Sequence, residues 1–320
     1  MIKFLLKTVV FVFITTLSGY AQPQFHQVKD LKVTILSTML ADQGIGEWGF
    51  CALIEVDGKK ILFDTGARPE TVLSNVREMK IDLSDVTDVF ISHHHGDHTG
   101  GLMTLRNEFS KKNPKALSVA HIGEGAFYPR PNNKNSISPM LKNKEEYEKS
   151  GGKFIIYNSP KEIYPGVWTT GPVPRKEKEQ NWSGSGKLVL PTGETVEDNI
   201  PEDQSMVFYD ANGLVVVSGC GHAGIVNTLT YTQSFLNPVR TKTLIGGFHL
   251  FDLDDDRMNW TCDKLKTFGI ENFIGAHCTG INAVYFIQRK LGLGRNQAIV
   301  GSVGSGFELG KGINAGQIAK

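Results

Sequence analysis

The sequence predicts an α/β protein built of two sheets packed face to face with helices outside. Three observations carry that expectation. Short apolar strands alternate with runs of helical spacing in both halves of the chain. In the first half, the strand at 86–91 runs directly into Ser-His-His-His-Gly-Asp-His-Thr-Gly-Gly (92–101), which sets four imidazoles and one carboxylate within six consecutive positions. In the second half, three strands end in glycine and histidine, at His222, His249 and His277, before the chain turns into a helix. Two strand-and-helix halves, each delivering ligand-type side chains at strand ends, fit two sheets that face each other.

The histidine run is hard to explain without metal. Imidazoles gathered in a folded interior repel one another when protonated and lose hydration when unpaired. A divalent cation instead takes neutral imidazole nitrogens and an ionised carboxylate as ligands. The spacing His-x-His-x-Asp-His lets His93 and His95 point one way from a tight loop while Asp97 and His98 serve a second metal nearby. His94, between two ligands, is directed away from them and is expected in packing or behind the ligands.

At the start of the chain, Lys3 and Lys7 precede an apolar run at 8–17 and a small-residue exit at Gly19-Tyr20-Ala21. This is the pattern of a secretory signal peptide cleaved after Ala21. The run is shorter than the ~20 residues that span a bilayer, so no membrane attachment is expected after cleavage. Residues 22–320 would form one exported domain, in the periplasm or beyond. A hydrophobic content of 40% allows a large core, and a net charge of +1 supplies no electrostatic case for nucleic acid. The four cysteines, Cys51, Cys220, Cys262 and Cys278, are too few and scattered for a disulfide scaffold, although export would permit one bridge.

The elements follow from local pattern. Residues 31–38 and 50–56 alternate as strands, and Asp57-Gly58 turns the second into a strand at 60–63 that ends in Asp64-Thr65-Gly66. Residues 69–80 have helical spacing at Val72, Val76 and Met79. The strand at 86–91 then delivers the histidine run, and a helix at 102–110 follows Gly100-Gly101. A strand at 117–120 ends in His121, which could face the pocket or simply be hydrogen-bonded in the interior. His26, near the start of the exported chain, is expected in solvent.

Residues 123–152 lose apolar periodicity and read as a surface insertion with a helix at 144–149, either a lid carrying Phe127, Tyr128 and Arg130 or a solvated loop. A second polar stretch, 174–186, contains Arg175 and Trp182, and its alternating Lys and Glu at 176–179 read as solvated surface. Strands are then expected at 187–190, 205–209, 214–218, 243–245 and 272–276, and helices at 225–235 and 255–268.

His93, His95, Asp97, His98, His222 and His277 together match the ligand order of the metallo-β-lactamase superfamily, and the resemblance covers nearly all of the chain beyond the signal segment. Asp203-Gln204, the run from Ser218 to Asn227, Gly246-Gly247-Phe248-His249-Leu250, His277-Cys278-Thr279-Gly280 and the Pro-Arg segment 170–175 carry a narrower likeness. They resemble the 7,8-dihydropterin-6-methyl-4-(β-D-ribofuranosyl)-aminobenzene-5'-phosphate synthase-like subgroup. The resemblance implies an αββα four-layer sandwich, two mixed sheets with helices outside, and a site along one edge. There His93, His95 and His222 would hold one metal and Asp97, His98 and His277 a second. Two divalent ions are implied. Zinc is the first choice, with iron and manganese suited to similar donor sets.

One departure stands out. The bridging aspartate implied by the resemblance is absent from the strand end that reads Gly-Gly-Phe-His249. His249 is therefore either a further ligand or a proton donor facing the pocket, with Asp252 and Asp254 as alternatives for the bridge, and occupancy of the second metal position stays open. Asp97 is a candidate to orient the attacking water. Asp64 is expected to accept from the second nitrogen of a ligand imidazole, while Cys220 and Cys278, beside His222 and His277, could ligate as thiolates but, given the full histidine set, are read first as small packing residues.

The expected function is an exported hydrolase that uses a metal-bound hydroxide on an ester, lactone, phosphoester or amide of a small molecule. The subgroup points instead to a pterin-related transferase, against which the signal segment argues because phosphorylated pterin intermediates are cytosolic. A metal-dependent binding protein without turnover is the third reading, suited to a half-filled site.

Overall fold

The computed structural model describes residues 25–131, 139–210, 212–237 and 239–319. The signal segment at 1–21 and the middle of the expected insertion, 132–138, lie outside the described residues. Two large mixed sheets face each other. The first has eight strands in the order Gly312–Asn314, Gly306–Glu308, Leu31–Ser37, Cys51–Val56, Lys59–Phe63, Asp88–Ile91, Val119–Gly123 and Lys153–Tyr157. The second has seven, in the order Ala298–Val300, Asn272–Gly275, Thr241–Gly246, Leu214–Ser218, Ser205–Phe208, Val167–Thr169 and Lys161–Tyr164.

Alternation along the strands builds the layers. Val33, Ile35, Ile54, Phe63 and Phe90 of the first sheet meet Met206, Phe208, Val215, Val217 and Ile245 of the second in a central core. Their neighbours on the same strands face outward. Val207, Val216 and Leu244 pack under the helices Ile225–Phe235, Asp255–Phe268 and Ile281–Leu291. Leu53, Leu62, Val89 and Ile91 pack under Thr71–Glu78, Leu102–Ser110 and Pro139–Lys149. A strand side chain that alternates between two buried faces is what a four-layer αββα sandwich requires. Each large apolar side chain removed from water contributes roughly 1.5–3 kcal/mol, so the layering is driven from both faces of each sheet.

The strands that matter for the site run parallel. In the first sheet Lys59–Phe63, Asp88–Ile91, Val119–Gly123 and Lys153–Tyr157 are parallel neighbours. In the second, Leu214–Ser218, Thr241–Gly246, Asn272–Gly275 and Ala298–Val300 are. Parallel strands place their C-terminal ends on one edge of the sheet, where a following loop can carry chemistry. The two edges are tied together: Gln204 Nε2 donates to the Ile91 carbonyl at 2.9 Å, and the His277 amide donates to Thr38 Oγ1 at 3.0 Å.

Two polar stretches differ from their expected surface roles. The helix in the insertion runs from Pro139 to Lys149 and buries Met140 and Tyr147 against the first sheet's outer face, with Tyr147 Oη donating to the Leu117 carbonyl at 2.7 Å. Met140 and Tyr147 are seven residues apart and so share one helical face. The stretch 174–186 closes over the helix Ile225–Phe235, where Glu179 accepts from the Val226 amide at 3.2 Å and the Asn227 amide at 2.8 Å. No described helix is long and apolar enough to cross a membrane.

Candidate metal centre

The six expected ligands converge where the two sheet edges meet. The strand Asp88–Ile91 ends at Ser92, and the chain passes through His93 and His95 into the short helix Gly96–Thr99, which carries Asp97 and His98. His222 follows Leu214–Ser218, His249 follows Thr241–Gly246, and His277 follows Asn272–Gly275. The His93 ring lies 4.6 Å from His95, 4.3 Å from His98 and 4.7 Å from His222, centroid to centroid, and His98 lies 5.0 Å from His277. His277 Nε2 stands 3.2 Å from Asp97 Oδ2.

Hydrogen bonds behind the rings settle which nitrogens face inward. Ser92 Oγ gives its one proton to Asp64 Oδ2 at 2.8 Å, so His93 Nδ1, 2.9 Å from the same oxygen, donates to it. His98 Nδ1 donates to Asp64 Oδ2 at 2.7 Å, and His222 Nδ1 to the Asn181 carbonyl at 2.5 Å. Each ring thereby turns Nε2 toward the centre. His93 Nε2, His222 Nε2 and both nitrogens of His277 are buried without a hydrogen-bond partner. Buried polar atoms are rarely left so, and cations between the rings would satisfy one inward-facing nitrogen of each, the second nitrogen of His277 staying unpartnered. The donors fall into compact sets: His93, His95 and Asp97 in one, and Asp97, His98, Cys220 and His277 in another, each with its ligand atoms within 4.8 Å of one another.

The electrostatics suit a cation. Burial and the neighbouring imidazoles hold His93 and His222 far below the usual histidine range, which keeps them neutral and ligand-ready, and His95 falls to about 3 for the same reasons. Burial opposes charge on His98 as well, yet Asp64 and Asp97 outweigh it and push His98 up to about 9. Burial raises the Asp97 carboxyl, but His277, His98 and His95 overcome this and hold it well below the carboxylate range. Neutral imidazoles and an ionised carboxylate are the donor forms that zinc and its neighbours take, so His93, His95, His222 and Asp97 are in donor form already, whereas His98 would have to release its proton as an ion binds.

The centre opens into a cavity of about 590 Å³ lined by His95, His222 and His249 together with Trp182, Phe251 and Arg257. Trp48, half exposed, lies 4.9 Å from the His277 ring and 5.6 Å from Phe251. Three residues here hold left-handed backbone despite carrying a side chain: Asp64 at φ 55°, His249 at φ 48° and His277 at φ 45°. Such conformations cost of order 1–3 kcal/mol each and persist where surrounding structure over-determines them.

A model of the metallo-beta-lactamase superfamily matches residues 49–196. A 7,8-dihydropterin-6-methyl-4-(beta-D-ribofuranosyl)-aminobenzene-5'-phosphate synthase of Methanocaldococcus jannaschii is 31% identical over 271 residues, covering 80% of this chain and 90% of that protein. The chain belongs to the metallo-β-lactamase superfamily. A solved structure described as Tm1679, a metal-dependent hydrolase of the beta-lactamase superfamily, is 27% identical with a TM-score of 0.69, covering 88% of this chain and 99% of that one. The metallo-β-lactamase fold protein YhfI from Bacillus subtilis shares the fold, with a TM-score of 0.53 at 14% identity over 88% of this chain and 100% of its own.

Within this superfamily fold the remaining sequence expectations find their places. Asp64 accepts from the Ser92 amide at 2.8 Å as well as from Ser92 Oγ and His98, so it stands directly behind the metal loop. His94 turns away, its Nδ1 2.5 Å from Glu202 Oε1. His121 bonds Asp88 at 2.8 Å and Tyr157 Oη at 2.8 Å, facing away from the centre. His26 is exposed beside Glu162. Asp254 is no bridge: it caps the helix Asp255–Phe268 by accepting from the Arg257 amide at 2.8 Å. Asp252 lines the outer cavity. His249 lies on the wall, its ring 4.6 Å from His222, its amide donating to Cys278 Sγ at 3.3 Å and its Nδ1 unpartnered.

Sequence reasoning missed Asn181 and ranked Cys220 below the histidines. Asn181 acts through its backbone carbonyl, which no side-chain pattern signals. Cys220, read as packing, puts Sγ 3.2 Å from His98 Nε2. The adjoining Gly219 is the signal that was available. A Cβ there would fall 2.1 Å from Ser92 Oγ and 2.6 Å from Asp64 Oδ2, so the Cys220 segment is pressed against the metal loop.

Proposed function

We propose that the protein is a metal-dependent hydrolase acting on a small molecule with a scissile ester, lactone, phosphoester or amide bond. The observation that carries this is the set of buried imidazole nitrogens on His93, His222 and His277 that lack partners and gather beside Asp97, next to an open cavity lined by His95, His222 and His249. His93, His95 and His222 would hold one divalent ion and Asp97, His98 and His277 a second, with zinc, iron and manganese all compatible with the donors. Such ions, when bound, supply Lewis-acid polarisation of a substrate oxygen and activation of water. The chain's own residues do the rest. Ser92, Asp64 and the Asn181 carbonyl fix the imidazole tautomers. Asp97 offers a partly exposed carboxylate that can orient a water. His249 lines the cavity, where its ring can serve a leaving group as a proton donor. Trp48 and Phe251 provide apolar faces at the mouth.

The similarity to Tm1679, a metal-dependent hydrolase 27% identical over 88% of this chain, supports the reading. The synthase name of the M. jannaschii relative supports a second reading, a pterin-related transferase in the same site. We propose export as well, on the signal-like pattern at 1–21, and that location favours hydrolysis. The test is a panel of chromogenic phosphodiesters, lactones and β-lactams with zinc-, iron- or manganese-loaded protein. The hydrolase reading expects turnover of at least one class, abolished by chelator and restored by metal. Silence across the panel together with turnover of a pterin substrate would reverse the order of the two readings.

A further inference from the structure

We infer that Cys220 is a metal ligand, its sulfur bridging the two cation positions. The inference deepens the metal-dependent reading above and rests on it. Four sets of ligand-type atoms lie within 4.8 Å of one another at this site, and Cys220 Sγ belongs to three of them. It groups with His93 and His222 from the first position, with Asp97, His98 and His277 from the second, and with His249 and Cys278 on the wall. Asp97 is the other donor that falls in a set with each position, grouping once with His93 and His95. An atom in reach of both donor sets occupies the place of a bridge.

Backbone and surroundings hold it there. Cys220 is 2% exposed, and its neighbour Gly221 takes φ 61°. Gly219 lies so close to Asp64 and Ser92 that a side chain would not fit. Sγ is 3.2 Å from His98 Nε2 and 3.2 Å from Cys278 Sγ, with Cys278 placed to donate its S–H. No carboxylate fills this role from the strand end Gly246-Gly247-Phe248-His249, because Asp254 is engaged as a helix cap and Asp252 sits out in the cavity.

The chemistry is balanced. On loading, the Cys220 S–H bond breaks, its proton leaves to solvent, and the sulfur lone pairs form the bonds to the cations. A thiolate gives one negative charge and, through a single atom with several lone pairs, can contact two cations as a bridging carboxylate would. Sulfur also favours zinc and iron over manganese and magnesium, so the donor set becomes more selective than imidazoles and one carboxylate alone.

The test uses cobalt(II) as the probe in fully reduced full-length protein, read by absorption spectroscopy and by metal analysis. The expected result is a near-ultraviolet sulfur-to-cobalt charge-transfer band in addition to the visible ligand-field bands. The band should be lost in Cys220→Ser and kept in Cys278→Ser. Visible bands with no sulfur band in the unmodified protein would overturn the inference while leaving the metal centre intact, and so would a band unchanged in Cys220→Ser. Absence of every cobalt band would sink the metal-dependent reading and the bridge with it. Because absence of the sulfur band in the unmodified protein overturns the inference without any variant, misfolding of a variant cannot shield the idea.

Discussion

Asp64 Oδ2 receives the Nδ1 proton of His98 at 2.7 Å, and both side chains are fully buried. The same carboxylate receives two bonds from Ser92, one of which passes the constraint on to His93. One aspartate at the end of the strand Lys59–Phe63 therefore orients an imidazole in each of the two proposed ligand sets.

Replacing Asp64 with Asn tests that arrangement. The shape is kept, but an amide presents both donor and acceptor where three donors now meet a carboxylate. Loss of such a supporting partner typically weakens metal affinity by about 10- to 100-fold. Competition with a chromogenic chelator should show that loss, with the circular dichroism spectrum unchanged. Unaltered affinity would mean that Asp64 serves only as a strand-end cap.

His249→Ala separates ligation from proton transfer. His249 groups with the two cysteines rather than with the imidazole and carboxylate donors, and it lines the cavity. The expected outcome is an unchanged number of metal ions per chain with kcat lowered about 100-fold, within the usual range for a lost general acid or base. Loss of one metal equivalent by elemental analysis would instead make His249 a ligand.

Much of this was legible in the sequence, and the exceptions have physical causes. The helices Leu102–Ser110, Ile225–Phe235 and Asp255–Phe268 were readable to the residue because apolar spacing and flanking glycines or acidic caps agree there. The gathering of the histidine loop with His222 and His277 was readable because the dense run 93–98 at a strand end pointed to partners at other strand ends. The insertion helix was partly hidden: Lys and Glu dominate it, and only Met140 and Tyr147 mark its buried face. The stretch 174–186 reads as polar, yet its Asn181 carbonyl bonds His222 and its Glu179 bonds backbone amides. Backbone partners leave no residue-type signature. Cys220 was hidden for another reason: a lone cysteine beside a histidine gains ligand reach only from the way two distant strand ends meet.

Glu179 carries a pH prediction. Burial, with help from Glu177, pushes its carboxyl up to about 7 from 4.5, against the pull of the Val226 and Asn227 amides. Between roughly pH 4.5 and 7 the folded chain holds a proton that the unfolded chain has released, so this group's contribution to stability falls as pH rises through that window and is flat above it. Glu179→Gln should remove that slope from urea midpoints measured between pH 4.5 and 7.5, whatever its effect on absolute stability. A slope identical to that of the unmodified protein would assign the titration elsewhere.

Arg130 anchors the insertion rather than waving above it. Its Nε donates to Asp198 at 2.7 Å and its Nη2 to the fully buried Glu202 at 2.8 Å, while Glu202 also holds His94. Burial raises the Glu202 carboxyl, but His94 and Arg130 outweigh it and bring it down to about 2. Arg130→Met keeps the stem and strips the charge, leaving two carboxylates with one guanidinium fewer. Removing one partner of a buried pair costs about 3–5 kcal/mol, so the urea midpoint at pH 7 should drop sharply. The sign with pH is also fixed. The unmodified protein keeps the Glu202 contribution above about 4.5 and loses it as pH falls through about 2, whereas the variant, its carboxyl still held down by His94 but no longer by Arg130, has a smaller contribution and loses it at a higher pH. The gap between the two proteins should therefore narrow as the pH is taken below 4. A gap that stays constant down to pH 2 would show that Arg130 stabilises through its bonds to the Gly125, Ala126 and Tyr128 carbonyls and not through Glu202.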